Sequence, residues 1–338
     1  MIRVGLIGFG YWGPNLARNF ATQDQTRVVA ISDLRESQLQ RAAKLVPGVR
    51  VTTDYRELIQ DPSIEVITIA TPVSTHFDLA MAALEGGKHV WIEKPMCATA
   101  EQARRLIDLA RRRNLVLHVD HTFVYTGAVR KLRELVASGA LGNIQYFDST
   151  RINLGLFQHD VDVIWDLAVH DFSILDSILD KQPVAISAHG ASFLPGSPVN
   201  LAYVTLFYDS GMIAHVHVSW LAPVKIRTIL LGGDKKMIVF DDLVPMEKIK
   251  IYDKGIQVFD DPHEIHRMRV GYRIGDMCSP NLDTTEALQT ETGHFLACVR
   301  DGRPSLTGGE AGLRVVNWLE KATLSLNQQG RLVSLTEP

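Results

Sequence analysis

The spacing of hydrophobic positions changes along the chain and divides it into two parts. Up to about residue 117, short β-branched runs alternate with amphipathic segments of helical length, such as Ala100–Arg113 with Thr99 as its N-cap. This alternation is typical of a doubly wound parallel sheet in which a helix follows each strand. The predicted strands are Arg3–Ile7, Val28–Ser32, Val66–Ala70, Val90–Ile92 and Leu115–Val119.

After a further helix at Ala128–Ser138, apolar runs follow one another without helices between them, which predicts a largely antiparallel sheet. The runs are Ile144–Ile152, Val184–His189, Asn200–Tyr208, Met212–Trp220, Ile226–Leu231, Met237–Phe240 and Lys248–Tyr252. Two helices follow, Thr285–Arg300 and Ala311–Gln328. Because 338 residues suit two domains, we expect one domain over residues 1–122 and another over 123–338, with the last helices packing back on the first.

The composition excludes several kinds of partner. The 35 Lys and Arg against 38 Asp and Glu leave a net charge of −3, so the chain lacks the basic field that nucleic acid or an anionic membrane surface requires. No apolar run approaches the roughly 18–20 residues of a membrane-spanning helix. The first residues lack an export signal, and Cys97, Cys278 and Cys298 lack CxxC spacing, so we expect a cytoplasmic protein with reduced thiols.

A glycine-rich turn lies between the first predicted strand and the first helix. Its residues are Gly8, Phe9, Gly10, Tyr11, Trp12 and Gly13. In a GxGxxG turn the first glycine permits the tight bend, the second lets a pyrophosphate approach the backbone, and the third lets helix and strand pack closely. The order strand, turn and helix therefore predicts a dinucleotide site.

Asp33 follows the second strand about twenty residues after the turn, where a carboxylate meets the adenine ribose hydroxyls. Because this carboxylate would repel a 2′-phosphate, NAD is the predicted cofactor and NADP the less favoured one. Arg35, two residues later, would weaken the preference by pairing with that phosphate.

Two further groups are candidates for proton chemistry. Glu93, Lys94 and Pro95 follow the predicted strand Val90–Ile92, at the carboxyl end where ligands of doubly wound sheets bind; the alternative for Lys94 is a solvated loop charge. Asp166 and His170 are four residues apart on a predicted helix, so the carboxylate can orient the imidazole as a general base. The alternative is a capping aspartate beside a surface histidine.

The same region is rich in possible metal ligands, but we predict no metal. The ligand types are those of His159, Asp160, Asp162, Asp166, His170 and Asp171. Oxidation of a secondary alcohol does not need a metal when NAD accepts the hydride and side chains take the proton.

The glycine turn, the Glu93-Lys94-Pro95 tripeptide and the Asp166/His170 pair, in this order, resemble the family of glucose-fructose oxidoreductase, inositol dehydrogenase and MocA-like proteins. The resemblance covers the whole chain. It implies an N-terminal Rossmann domain followed by an α+β domain with a large open-faced, mostly antiparallel sheet. Segments such as GYWGPNLARNF and HTFVYTGAVRKL look most like the nucleotide-sugar branch, whose members oxidise C3 of UDP-N-acetylglucosaminuronic acid for surface polysaccharides.

The resemblance also assigns residues. It implies that Lys94, Asp166 and His170 are catalytic. The implied cofactor contacts are the six residues of the glycine turn, Asp33, Thr71, Pro72, His76, Glu93 and Lys94. Many relatives carry an acid seven residues after the catalytic aspartate, where this chain has Ser173. That departure leaves the proton relay open.

Substrate contacts are expected from residues beyond the last parallel strand and on the open sheet. The candidates are His121, Tyr125, Arg151, Asn153 and Trp165. Arg151 suits a uronate carboxylate or a diphosphate, but it is equally consistent with a solubilising charge at a strand edge. Trp165 would flank the sugar or belong to the core.

The predicted activity is hydride transfer between a sugar ring alcohol and NAD, most specifically at C3 of a UDP-N-acetylhexosaminuronate or a related nucleotide sugar. The alternatives are an inositol or free-sugar dehydrogenase of the same family and a non-catalytic NAD-binding sensor. An open apolar sheet should not stay exposed, so we expect a homodimer or homotetramer formed through sheet faces.

Overall fold

The computed structural model describes residues 1–155, 161–257 and 271–336 and confirms the predicted fold class. The chain divides into two compact units. The first unit consists of residues 1–126 with 284–320, and the second of residues 127–283 with 321–338. The first unit contains a parallel sheet, and the second a larger, mostly antiparallel one.

The parallel sheet has the strand order β3-β2-β1-β4-β5-β6. Its strands are β1 (Ile2–Ile7), β2 (Thr26–Ser32), β3 (Arg50–Thr52), β4 (Val66–Ile69), β5 (His89–Glu93) and β6 (Leu117–Asp120). The chain reverses its direction of winding between β1 and β4, and ligands of such sheets bind outside the carboxyl ends of the strands at this point. The sequence did not predict β3, because its three residues are largely exposed and make no apolar run.

The helices alternate with these strands in the first unit and flank the second sheet. They are α1 (Gly13–Ala21), α2 (Glu36–Leu45), α3 (Arg56–Gln60), α4 (Val73–Glu85), α5 (Ala100–Arg113), α6 (Gly127–Ala137), α7 (Val169–Ile178), α8 (Ala287–Asp301) and α9 (Gly309–Asn327). A 3₁₀ turn covers Thr122–Tyr125, and a π-helical turn at Ile164–Ala168 leads into α7. The Thr99 side chain accepts the Gln102 N–H at 3.1 Å, as expected for the N-cap of α5.

The second sheet has the order β16-β13-β12-β11-β7-β10-β9-β8-β17, and its described pairs are antiparallel except for β7 with β10. The strands are β7 (Ile144–Leu154), β8 (Ala185–Ala191), β9 (Leu201–Phe207), β10 (Ile213–Ser219), β11 (Leu221–Gly233), β12 (Met237–Asp241), β13 (Ile249–Tyr252), β16 (Met277–Cys278) and β17 (Val333–Ser334). β14 (Gly255–Gln257) and β15 (Gly271–Arg273) form a separate pair.

Side chains alternate across the second sheet as the two-residue period requires. Ala202, Val204 and Leu206 of β9 are buried, whereas Tyr203 between them is 40% exposed. Tyr203 stacks on His217 of β10, with ring centroids 4.4 Å apart. In the described residues of the second unit, one face of the sheet is therefore apolar and covered, and the other carries aromatic and histidine rings.

Three aromatic rings fix α8 to the parallel sheet within the first unit. Phe295 of α8 lies edge-on to Trp91 of β5 at 5.4 Å and to Phe20 of α1 at 6.3 Å. All three side chains are fully buried. The core of the first unit thus includes a helix that lies far along the chain from its strands.

None of the helices within residues 1–155, 161–257 and 271–336 combines the length and apolarity that a membrane span needs.

The replacement Phe295→Ala should lower the free energy of unfolding by about 3–5 kcal/mol, because it empties the space between Phe20 and Trp91. Urea unfolding followed by circular dichroism measures the change. Phe193→Ala is the matched control, since Phe193 is 63% exposed and its loss should cost less than about 0.5 kcal/mol. Equal effects of the two replacements would contradict the packing of α8 described above.

Candidate active site

The first and third glycines of the turn after β1 are required by close packing. Gly8 has a φ of +94°, and a Cβ there would lie 2.4 Å from the Ala70 carbonyl oxygen. A Cβ at Gly13 would lie 2.5 Å from the Gly8 carbonyl oxygen. Neither position can hold another residue without moving backbone.

Gly10, in contrast, faces open space. Among the described residues, the heavy atom nearest to a Cβ at Gly10 is Nη2 of Arg35, at 3.5 Å. A glycine without a packing reason at this position leaves the backbone open to a ligand. α1 begins next to it, and in the described structure no side chain caps its first turn. The helix dipole and the open approach to the backbone at Gly10 make this turn fit the pyrophosphate of NAD.

Asp33 fixes the same turn from the end of β2. Its Oδ2 accepts the Phe9 N–H at 2.8 Å, and its Oδ1 accepts the Arg35 N–H at 2.9 Å. Burial raises the pKa of Asp33, but the hydrogen bonds from Phe9 and Arg35 outweigh it and hold the pKa below its usual value. The carboxylate is therefore ionised where a 2′-phosphate of NADP would lie, which suits NAD.

His76 ties together the turns that follow β4 and β5. Its Nδ1 lies 2.9 Å from the Pro95 carbonyl oxygen and its Nε2 lies 2.8 Å from that of Thr71. Burial, and then the charge of Lys94, lower the pKa of His76, so the ring is neutral and donates to one of the two carbonyls. Pro72 forms the N-cap of α4 between these contacts. His76 thereby positions the backbone around Lys94, which precedes a cis peptide bond to Pro95.

His121 follows β6 at the same edge of the sheet and is 1% exposed. Within the described residues neither ring nitrogen has a hydrogen-bond partner. Burial lowers the pKa of His121 to about 4, against the effect of Asp120 and helped by the charge of Lys94. A buried neutral imidazole therefore offers one donor and one acceptor near Lys94.

Sequence analysis did not predict a group of buried acids at this edge. Glu93 of β5 is the register partner of Asp120 of β6, and Glu291 of α8 is fully buried beside Asp120. Trp12 of the glycine turn donates its indole N–H to Asp120 at 2.9 Å. Acids at the ends of two neighbouring predicted strands were a signal for Glu93 and Asp120, whereas nothing local marks Glu291.

Tyr125 occupies the interior of the first unit rather than an open face. It is 3% exposed, and its hydroxyl lies 3.1 Å from Oγ1 of Thr307. The aromatic ring was taken for a substrate contact because it follows the last parallel strand. The 3₁₀ turn at Thr122–Tyr125 turns it inward instead.

In the second unit, Asp166 lies in the π-helical turn and His170 in the first turn of α7. The indole N–H of Trp220 donates to Oδ2 of Asp166 at 3.0 Å. Asp162, not Asp166, caps the turn, since its Oδ1 accepts the N–H groups of Ile164 and Trp165 at 2.9 and 3.1 Å. The capping role considered for Asp166 is therefore wrong.

The side chains of Ser173 and Asp171 make hydrogen bonds that do not involve the imidazole of His170. The Ser173 hydroxyl donates to the His170 carbonyl oxygen at 2.8 Å. Asp171 is 1% exposed, accepts two hydrogen bonds from Arg151 at 2.8 and 3.1 Å, and accepts a third from Ser149 at 2.7 Å. The acid nearest to His170 in sequence is thus committed to a buried ion pair.

This ion pair corrects both interpretations of Arg151. Arg151 is 4% exposed on β7, which lies inside the sheet between β11 and β10. The side chain is therefore neither a strand-edge charge nor part of the open face. Asn153, also on β7, is less buried than Arg151, and its side-chain amide donates to the Leu154 carbonyl oxygen at 3.0 Å. The indole N–H of Trp165 donates to Oγ1 of Thr323 at 2.9 Å.

The described residues contain no group of three or more His, Cys, Asp or Glu side chains arranged to hold a metal ion. His159 and Asp160, which were among the possible ligands, lie outside the described residues.

Two family models match the chain. Residues 2–121 match the oxidoreductase family with an NAD-binding Rossmann fold, and residues 129–239 match the GFO/IDH/MocA C-terminal domain. The uncharacterized oxidoreductase YdgJ of Escherichia coli is 32% identical over 263 residues, which is 73% of this chain and 73% of that protein.

Relatives with named activities cover more of the chain. The UDP-N-acetylglucosamine 3-dehydrogenase of Acidithiobacillus ferrooxidans is 27% identical over 93% of this chain and 94% of its own length. Its solved structure superposes with a TM-score of 0.82 at 25% identity, covering 97% of this chain and 98% of that one. The myo-inositol 2-dehydrogenase of Thermotoga maritima is 25% identical over 99% of each chain.

The replacement Gly10→Ala should weaken NAD binding at least tenfold, because the methyl group would occupy the space through which the pyrophosphate approaches the backbone. The free energy of unfolding should change by less than about 1 kcal/mol, since the site has room for a Cβ. Fluorescence titration with NAD and urea unfolding measure the two effects.

The matched control is Gly293→Ala in α8, where the added Cβ meets the flexible end of Gln23 and should leave NAD affinity unchanged. Unchanged NAD affinity in Gly10→Ala would contradict the location of the pyrophosphate.

Proposed function

This chain belongs to the GFO/IDH/MocA family of NAD-binding oxidoreductases, and we propose that it oxidises a ring hydroxyl of a nucleotide sugar. The substrate we infer is a UDP-N-acetylhexosaminuronate or a related UDP-N-acetyl sugar, with C3 as the reacting carbon. The likeness to a UDP-N-acetylglucosamine 3-dehydrogenase over 93% of the chain supports this substrate class.

The observation that carries the proposal is the pairing of Lys94 and His121 beside a glycine turn that fits NAD. Both side chains follow strands of the parallel sheet at its carboxyl edge, and the charge of Lys94 is felt at His121. Neither ring nitrogen of the neutral His121 imidazole has a hydrogen-bond partner among the described residues, so the ring can bind a substrate hydroxyl group. The neighbouring Lys94 cation can stabilise an oxygen that becomes negative during the reaction.

Each catalytic side chain has a proposed task. Bound NAD supplies the hydride acceptor. His170 takes the proton of the reacting hydroxyl, and Asp166 holds the imidazole in the tautomer that accepts it. Lys94 donates a hydrogen bond to the same hydroxyl and stabilises the oxygen as the proton leaves. His121 binds a neighbouring hydroxyl group of the ring.

Asn153 and Trp165 are the proposed sugar contacts of the second unit. Asn153 is partly exposed on β7, and Trp165 precedes Asp166 in the π-helical turn. Because Arg151 is held by Asp171, we assign it no contact with a uronate carboxylate. Without a cation assigned to the uronate carboxylate, an uncharged N-acetylhexosamine fits the proposal as well as a uronate does.

The second candidate function is an inositol or free-sugar dehydrogenase. The match to a myo-inositol 2-dehydrogenase along 99% of the chain supports it, and the hydride chemistry would be the same. A non-catalytic NAD-binding sensor is the third, which the presence of Lys94, Asp166 and His170 disfavours.

We also propose that the protein acts in the cytoplasm as a homodimer or homotetramer built through the second sheet. Rings such as Tyr203 and apolar side chains such as Ile213, 45% exposed, lie on the uncovered face of that sheet. Burying them against a second copy would remove apolar surface from water.

Mixing the protein and NAD with a panel of UDP-sugars, UDP-uronates, free sugars and inositols tests the substrate class through NADH absorbance. We expect NADH with UDP-N-acetylhexosamines or their uronates and at least tenfold less with the other compounds. NADH formed with an inositol or a free sugar alone would favour the second candidate function. If protein that binds NAD forms no NADH with any of the compounds, the result would favour the sensor.

The replacements Lys94→Met and His170→Asn should each lower kcat at least a hundredfold, because each removes a group that handles the proton or the oxyanion. NAD affinity should stay within a few-fold of the unmodified protein. Lys254→Met and His189→Asn are the matched controls, since both residues are exposed and neither has an assigned role, and they should leave kcat unchanged. A kcat within a few-fold of normal for either catalytic variant would contradict the roles assigned above.

A further inference from the structure

Three carboxyl groups form a largely buried network with Trp12, Thr122, His118 and Ser305 inside the first unit. Glu93 and Asp120 face each other across β5 and β6, and Glu291 reaches Asp120 from α8. Asp120 is 2% exposed and Glu291 is fully buried. Three ionised carboxylates cannot share so small a dry space, so protons must be bound there.

Asp120 is the acceptor at the centre of the network. Its Oδ2 accepts the Trp12 indole N–H at 2.9 Å, and its Oδ1 accepts the Thr122 hydroxyl in a short hydrogen bond. Trp12 is a donor only, so the oxygen facing it carries no proton. Glu93 and Glu291 lie close enough to interact electrostatically with Asp120, and each adds a further negative charge there unless it is protonated.

The two glutamates meet that condition. Burial and the neighbouring Asp120 raise the pKa of Glu93 well above its usual value, and the same causes, with Glu93 added, raise that of Glu291. Both shifts favour the protonated, neutral form of the two glutamates. Trp12 and Thr122 then donate to the two oxygens of a single carboxylate, that of Asp120, which is the acid left to carry the charge.

His118 extends the network toward the surface in a consistent direction. Its Nε2 lies 3.1 Å from Oε1 of Glu291, and its Nδ1 lies 2.7 Å from Oγ of Ser305. Burial, and then His294 and His121, lower the pKa of His118 well below its usual value, so the ring is neutral. Ser305 donates to Nδ1, and Nε2–H donates to Oε1 of Glu291; Oε2 of Glu291 has no hydrogen-bond partner among the described residues and is the oxygen left to carry a proton.

We propose that Asp120 is the one negative charge of this network and that it makes the protein bind NAD⁺ more tightly, relative to NADH, than it otherwise would. The nicotinamide ring is positive in NAD⁺ and neutral in NADH. Dinucleotides lie across the carboxyl ends of the strands, where Asp120 ends β6 and Trp12 of the glycine turn contacts it. A fixed negative charge there favours the oxidised cofactor.

The charged groups around Asp120 do not cancel this preference. Lys94 is present in the unmodified protein and in the Asp120→Asn variant. Its effect on the nicotinamide therefore cancels when the NADH to NAD⁺ ratios of the two proteins are compared. His76, His118 and His121 are neutral because burial lowers the pKa of each. The inference rests on NAD binding by the first unit and not on the identity of the sugar.

The ratio of the dissociation constants of NADH and NAD⁺, measured by fluorescence titration without substrate, tests the proposal. Asp120→Asn keeps the shape and an acceptor oxygen but removes the charge, so the ratio should fall roughly tenfold. Glu291→Gln is the matched control, because the carbonyl oxygen of a glutamine accepts from His118 as a protonated glutamate does, and the replacement keeps the position uncharged. It should leave the ratio within twofold of the unmodified protein.

In Asp120→Asn, Glu93 or Glu291 could ionise and replace the lost charge, so a further variant removes all three carboxyl groups. The triple replacement of Glu93→Gln, Asp120→Asn and Glu291→Gln leaves no carboxyl in the network, and its ratio should also fall. An unchanged ratio in both Asp120→Asn and the triple variant would overturn the proposal. A larger change in Glu291→Gln than in Asp120→Asn would overturn the assignment of the charge to Asp120. Failure of the unmodified protein to bind NAD⁺ would overturn the inference together with the cofactor, whereas NAD⁺ binding without sugar oxidation would affect the proposed function alone.

Discussion

The pairing of β5 with β6 sets the constraint on which the edge of the first unit depends. Their register puts the partly buried Glu93 directly opposite Asp120, which is 2% exposed. A carboxylate in such a place needs hydrogen-bond donors. Trp12 of the glycine turn and Thr122 of the following 3₁₀ turn supply them to Asp120. The cofactor turn is thereby hydrogen-bonded to the strand end that precedes His121.

A second tie holds the remaining turns of this edge. The ring of His76 lies between the carbonyl oxygens of Thr71 and Pro95 and donates to one of them, so packing and one hydrogen bond position the segments after β4 and β5. Lys94 is carried on one of them, and Asp33 holds the glycine turn from the side of β2. The polar groups at the edge are therefore placed by hydrogen bonds to backbone as well as by the sheet, which is how a rigid cofactor site keeps its geometry before ligand binds.

The sequence predicted those features that depend on local patterns. The glycine turn, the alternation of strands and helices in the first unit and the Thr99 cap of α5 each need only neighbouring residues. Tertiary contacts decided the rest. Arg151 and Asp171 lie twenty residues apart in sequence, and Glu291 lies 171 residues beyond Asp120, so no local period could link either pair. The π-helical turn before α7 also escaped prediction, because Ile164, Leu167 and Ala168 fit the apolar stripe of an ordinary helix.

The central claim is that a hydride leaves C3 of a nucleotide sugar and enters NAD⁺. The most direct test uses UDP-N-acetylhexosamine and its uronate, each carrying deuterium at C3 alone, with mass spectrometry of the reduced cofactor after one turnover. The account predicts one deuterium in the NADH formed and a slower turnover than with the unlabelled sugar. Unlabelled NADH, formed while the sugar keeps its deuterium at C3, would contradict the account.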